Sequence, residues 1–175
     1  MIEIDIFAER RYNDYDCSGA VALRWKGFSQ AFRRFIDWYN HSFNETAQSH
    51  EYFVLRTFDN IGGVSPSPGN RHAFVVESEQ SLNEFINRCV NDLNGAVGEW
   101  IKNWFTWPSA LLAMDKDRQL CGAWRDMAYF CLVEKVHGHK AACAWVNGID
   151  STGWPEFLGA QIEYLKSQAC KEMQT

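Results

Sequence analysis

The stretch IEIDIFAERRYNDYDCSGAVALRW, Ile2 to Trp25, decides the fold class. Ile2, Ile4 and Ile6 alternate with Glu3 and Asp5, the period-two pattern of a strand with one buried face. YNDYDCSG, Tyr12 to Gly19, carries the Asn, Asp, Ser and Gly that favour turns, and AVALRW, Ala20 to Trp25, reads as a returning strand. The first 25 residues are therefore expected to form a hairpin.

Beyond it, Phe28, Phe32, Phe35, Ile36, Tyr39 and Phe43 recur at helical spacing. EYFVLRTF (Glu51 to Phe58) and HAFVVESE (His72 to Glu79) are β-branched and aromatic, and are expected to be strands. DNIGGVSPSPGNR between them is rich in Gly, Pro and Ser and is the best candidate for a mobile loop. Ser81 and Glu84 have capping-box spacing ahead of Leu82, Phe85, Ile86, Cys89, Val90, Leu93, Val97, Trp100, Ile101 and Trp104, which predicts a helix bent or broken near Gly95 or Gly98. Pro108 is expected to stop or interrupt whatever continues. Leu120, Trp124, Met127, Ala128, Cys131, Leu132 and Lys135 are again helical in spacing, but Tyr129 to Val133 is apolar all round and fits a central helix or a buried strand. Pro155 suits a helix start, with Phe157, Leu158, Ile162, Leu165 and Ala169 on one face. The order implies one α+β domain over residues 1–175: a mainly antiparallel four-stranded sheet of two hairpins, packed with helices, and a helical C-terminal half.

Composition narrows the function. Net charge is −5, from 17 basic and 22 acidic residues, which disfavours a general nucleic-acid binder. No run approaches the ~18 apolar residues of a membrane span, and the N-terminus has no secretory pattern, so the expected setting is the cytoplasm. Six Cys are scattered without CxxC spacing, which in that setting implies reduced, mostly buried thiols.

No nucleotide, metalloprotease or hydrolase motif is present, so no cofactor is expected and the chain reads as an enzyme only weakly. CLVEKVHGHKAACAW, Cys131 to Trp145, holds His137, His139, Cys131 and Cys143, all zinc-ligand types. However, His-Gly-His is not a usual structural zinc spacing. Lys135, His137 and Gly138 are what a helix C-terminus prefers, so a turn between two elements is expected. DYDCSG, Asp14 to Gly19, begins like a calcium loop, but its twelfth position is Trp25 where a Glu is needed.

Eight Trp exceed what an obvious core stripe uses, and Phe105 and Trp107 fall off the Trp100–Trp104 face. The expected function is thus protein–protein binding, as an inhibitor, immunity or adaptor module. Phe105, Trp107, Arg10, Arg11 and Trp25 are the candidate contacts, to another protein or to a second copy in a homodimer. The alternatives are a small enzyme or metal-dependent module with a dispersed Cys/His site, and a nucleic-acid binder using the basic N-terminal third.

Overall fold

A computed structural model of the chain describes residues 2–11, 14–49, 52–61 and 74–171. Its contacts divide into two compact units, Met1–Leu23 with Leu55–Phe105, and Arg24–Val54 with Thr106–Thr175.

In the first unit, β1 (Ile2–Arg11) and β2 (Asp14–Arg24) pair antiparallel from Ile2↔Leu23 to Arg11↔Asp14. The expected hairpin is present, but β2 starts at Asp14. Only residues 12 and 13 separate the strands, and they lie outside the described residues. Asp14 to Gly19 is therefore strand rather than turn, and a calcium loop there is ruled out by its pairing. Two-residue connections are the commonest way to close a hairpin, so the polar residues after the turn are free to pair. Ala20, Val21, Ala22 and Leu23 are all buried.

The expected four-stranded sheet of two hairpins is not what forms. β3 (Tyr52–Thr57) and the three-residue β4 (Phe74–Val76) each pair with β2 rather than forming a second hairpin. Since β1 occupies one edge of β2 over its length, β3 and β4 share the other, and the antiparallel sheet is three strands wide. Of HAFVVESE, residues 72 and 73 lie outside the described residues, and the strand ends at Val76 because Ser78 is committed to capping the next helix. Of the expected mobile loop, only Asp59–Ile61 is described, as one 3-10 turn; the rest lies outside the described residues.

α2 (Glu79–Asn94) begins one turn earlier than the Ser81–Glu84 spacing suggests. The Ser78 hydroxyl accepts from the Ser81 amide at 3.2 Å, while the Ser78 amide donates to the Ser81 hydroxyl at 2.9 Å. Ser81 thus plays the reciprocal part a Glu often plays. The helix buries Phe85, Cys89 and Asp92 and leaves Leu82, Ile86 and Val90 exposed. Its apolar pattern therefore covers two stripes, of which one is packed. Gly95 breaks the helix, and α3 (Ala96–Lys102) follows, with Trp100 and Trp104 half-buried and their rings 5.3 Å apart.

In the second unit, α1 (Lys26–Phe43) matches the sequence reading and buries Phe28, Phe32, Phe35, Ile36 and Tyr39. Each fully buried Phe contributes about 1.5–3 kcal/mol, enough for three of them to anchor the helix. The helical run is interrupted after Lys102, as Pro108 implies, and Pro108 itself sits in the first turn of the next helix: α4 (Trp107–Lys116) is capped by the Thr106 hydroxyl, which accepts from the Ser109 amide at 3.3 Å. The Pro lacks an amide hydrogen where the first turn needs none. α5 (Arg125–His137) is buried without interruption from Asp126 to Val133, so the all-round apolar segment is a central helix. α6 (His139–Asn147) and α7 (Glu156–Tyr164) complete the unit, and Leu165–Ala169 extends α7 as a π turn. The Phe35 ring meets those of Phe157 at 5.4 Å and Tyr164 at 5.6 Å. Among the described residues, no helix is long and apolar enough to cross a membrane.

Candidate functional site

The stretch Cys131 to Trp145 is a helix–turn–helix connection, as its Lys135, His137 and Gly138 imply. α5 ends at His137, Gly138 takes φ 87° and ψ 163°, and α6 starts at His139. That backbone conformation is open to glycine and little else. The tight turn brings the last residues of α5 against the first of α6.

Three side chains exploit it. Glu134 Oε1 lies 2.5 Å from Nδ1 of His139. His139 and Cys143, four apart on α6, share a helix face, and Nε2 of the ring lies 3.4 Å from Cys143 Sγ. The carboxylate thus fixes the ring from behind while its other nitrogen addresses sulfur. With Nδ1–H donated to Glu134, Nε2 accepts from a thiol. When it carries a second proton, it donates to a thiolate.

Cys143 is bonded to Cys170, with Cα atoms 5.6 Å apart. The π turn delivers Cys170: its amide donates to the Leu165 carbonyl at 3.0 Å, five residues back, which displaces Cys170 around the axis relative to an α-helical continuation. A ring nitrogen of His139 and both sulfurs all lie within 4.8 Å of one another, and the three residues are half-buried. Glu134 and His139 also line a cavity of about 160 Å³, with Arg34, Tyr164, Gln168 and Cys131.

The expectation of six reduced thiols therefore fails at one pair. Cys143 and Cys170 are 27 residues apart, and nothing in their spacing announces the bond. Cys17, Cys89, Cys121 and Cys131 are buried and outside any disulfide, as expected. Of the zinc-type set drawn from the sequence, the structure brings His139 and Cys143 together and leaves His137 exposed on the last turn of α5. Cys131 shares the cavity wall, but burial, and after it the Glu134 carboxylate, pushes its thiol up to about 12. Near neutral pH it stays a thiol, and it is not one of the three residues whose ligand atoms converge. Glu134 and Cys170 were missed; the four-residue spacing of His139 and Cys143 was the one visible signal.

The contact candidates fall in both units. Phe105 is 68% exposed in the first unit. In the second, the 37% exposed Trp107 packs its ring 4.6 Å from that of Trp25, with Lys135 Nζ 5.6 Å from its centre. Arg10 and Arg11 pair with Tyr15 and Asp14 at the end of β1, and their side chains lie outside the described residues. No protein-family model matches the chain, and no match was found among curated proteins or solved structures.

Proposed function

We propose that the chain is a thiol–disulfide module that cycles Cys143–Cys170 between disulfide and dithiol. This is the dispersed Cys/His alternative from the sequence, with a corrected residue set. The single observation that carries it is the Glu134–His139–Cys143 alignment, 2.5 Å and then 3.4 Å. A disulfide that only staples has no use for a carboxylate-held imidazole on one sulfur.

In the forward step a small thiol, as thiolate, attacks Cys170 Sγ. The S–S bond breaks, and its electron pair leaves on Cys143 Sγ, where Nε2 of His139, having taken up the proton the attacking thiol released, stabilises or protonates it. A second small thiol attacks the outer sulfur of the mixed disulfide, releasing the Cys170 thiol. The net reaction converts the protein disulfide and two thiols into the protein dithiol and one small disulfide. A cytoplasmic setting accords with this reading, because disulfides in that compartment are usually transient or redox-sensing.

The test incubates native protein in graded glutathione buffers and counts newly alkylated cysteines by mass spectrometry. Reversible labelling at Cys143 and Cys170 is expected, with His139→Ala slowing reduction about tenfold or more. A pair that resists glutathione until the protein is denatured is a structural staple, and the reading falls.

A second reading, binding to another protein or to a second copy, keeps the support of one observation: the exposure of Phe105. Its test is loss of capture or of self-association in Phe105→Ser.

A further inference from the structure

Reduction of Cys143–Cys170 frees two sulfurs beside an imidazole already oriented by a carboxylate. We infer that the reduced chain binds one zinc-class divalent cation through Cys143 Sγ, Cys170 Sγ and Nε2 of His139. This rests on the disulfide being openable, and so deepens the function proposed above.

The donor set is the argument. Two thiolates and one imidazole are soft-to-borderline ligands that suit Zn²⁺, and a three-residue set of this kind leaves a fourth position for water or another ligand. The three donor residues already lie with ligand atoms inside 4.8 Å of one another. Tetrahedral donors around zinc are separated by roughly 3.5–4 Å, given bond lengths of about 2.0–2.3 Å. The adjustment needed is therefore parting the sulfurs, which cleavage of the S–S bond permits.

Glu134 supplies what a first set of ligands lacks. A metal-binding histidine almost always gives its other ring N–H to a carboxylate or carbonyl, which fixes the tautomer and strengthens the ligand. Here that nitrogen is Nδ1 and the carboxylate is 2.5 Å away, leaving Nε2 for the ion. Cys131 is buried and lies outside this donor set. The balance is simple: the dithiol and Zn²⁺ give the bound complex and two released protons. Bound metal and disulfide exclude each other, since both need the same sulfur electron pairs.

The probe is Co²⁺ added anaerobically to full-length protein reduced with a phosphine that is then removed. One equivalent is expected to give a thiolate-to-cobalt charge-transfer band and tetrahedral d–d bands, both abolished by equimolar Zn²⁺. Cys170→Ser should lose the charge-transfer intensity of one sulfur. Glu134→Gln, at an exposed position, should keep the fold by circular dichroism and weaken binding about 10–100-fold. Cys131→Ala should leave the spectrum unchanged. No cobalt bands from the reduced wild-type chain, or bands that survive in a folded Cys143→Ser/Cys170→Ser variant, overturn the inference even if glutathione opens the disulfide. Bands from phosphine-reduced protein whose disulfide ignores glutathione would uphold the metal site and overturn the redox cycle alone.

Discussion

Phe58 lies against the backbone of Gly19: a Cβ built at position 19 would sit 2.8 Å from two of its ring carbons. The Phe58 amide also donates to the Gly19 carbonyl at 2.9 Å, so ring and strand are held together from both ends of the contact. Glycine at a strand interior is weak on propensity, and here it makes room for an aromatic ring. Gly19→Ala should therefore destabilise by about 1–3 kcal/mol in urea unfolding through overpacking. In a Phe58→Leu background the same change should cost far less. Equal cost in both backgrounds would mean the ring is not what position 19 accommodates.

Gln161 is a fully buried polar side chain on α7 whose donors and acceptor are all used. Its Nε2 donates to the Ala123 carbonyl at 2.7 Å and the Phe157 carbonyl at 3.3 Å, and its Oε1 accepts from the Met127 amide at 3.4 Å. One side chain thus ties α7 to the start of α5. Gln161→Leu keeps approximate volume but strands the Met127 amide and Ala123 carbonyl, at about 1–3 kcal/mol each. Gln161→Glu retains the acceptor yet turns a carboxylate on two carbonyls, so that variant should gain stability on acidification where wild type does not. Thermal melts at two pH values check both.

How much of this was legible follows from which signals are local. α1 could be read to within two residues because five apolar side chains repeat on one face. The hairpin was legible from isoleucine alternation, but its turn was overextended because Asp14, Asp16 and Ser18 look like turn residues while pairing as strand. The sheet's width was not legible: whether β4 pairs with β3 or with β2 is decided by tertiary packing, not by a three-residue pattern. The site shows the same divide. His139 and Cys143 announce themselves at four-residue spacing. Glu134 joins only through the Gly138 turn, and Cys170 only because a π turn rotates it toward α6.

Burial and the Glu134 carboxylate raise the Cys131 thiol from 9.0 to about 12. Above pH 9 the unfolded chain loses a proton that the folded chain keeps, so this group's stabilisation is complete below pH 9 and is lost as pH rises toward 12. The slope can reach about 1.36 kcal/mol per pH unit for one proton. Cys131→Ala should unfold at lower denaturant at pH 8 but show a shallower alkaline decline. Parallel decline in both proteins between pH 9 and 11 would remove Cys131 from the cause. Native protein at pH 8 should also leave Cys131 unalkylated.

Phe105 and Trp107 sit two residues apart and should separate on mutation. Phe105 is mostly exposed, so Phe105→Ser should stay within about 0.5 kcal/mol of wild type. Trp107 packs its ring at a tilt against that of Trp25 and carries Lys135 over its ring, so Trp107→Ala should cost the pair's extra 0.5–1.5 kcal/mol, roughly, plus the lost buried area. Partner capture lost in Phe105→Ser with an unchanged melting curve would place the contact at that side chain. Loss in Trp107→Ala alone would follow from unfolding as well.

Gly138 is where fold and chemistry meet. A Cβ there would touch nothing within 4 Å, so Gly138→Ala imposes no clash, and its whole cost is backbone strain at φ 87°. That cost should be about 1–3 kcal/mol. Relief of the strain requires the chain to turn differently between His137 and His139, which moves the α6 start relative to Glu134. The Glu134–His139 contact, 2.5 Å in the native turn, should lengthen, and glutathione reduction of Cys143–Cys170 should slow toward the rate of His139→Ala. Stopped-flow alkylation of Gly138→Ala, below its melting temperature, separates the two effects. A folded variant that is less stable yet reduced at the wild-type rate would show that the turn holds the helices together without aiming the imidazole.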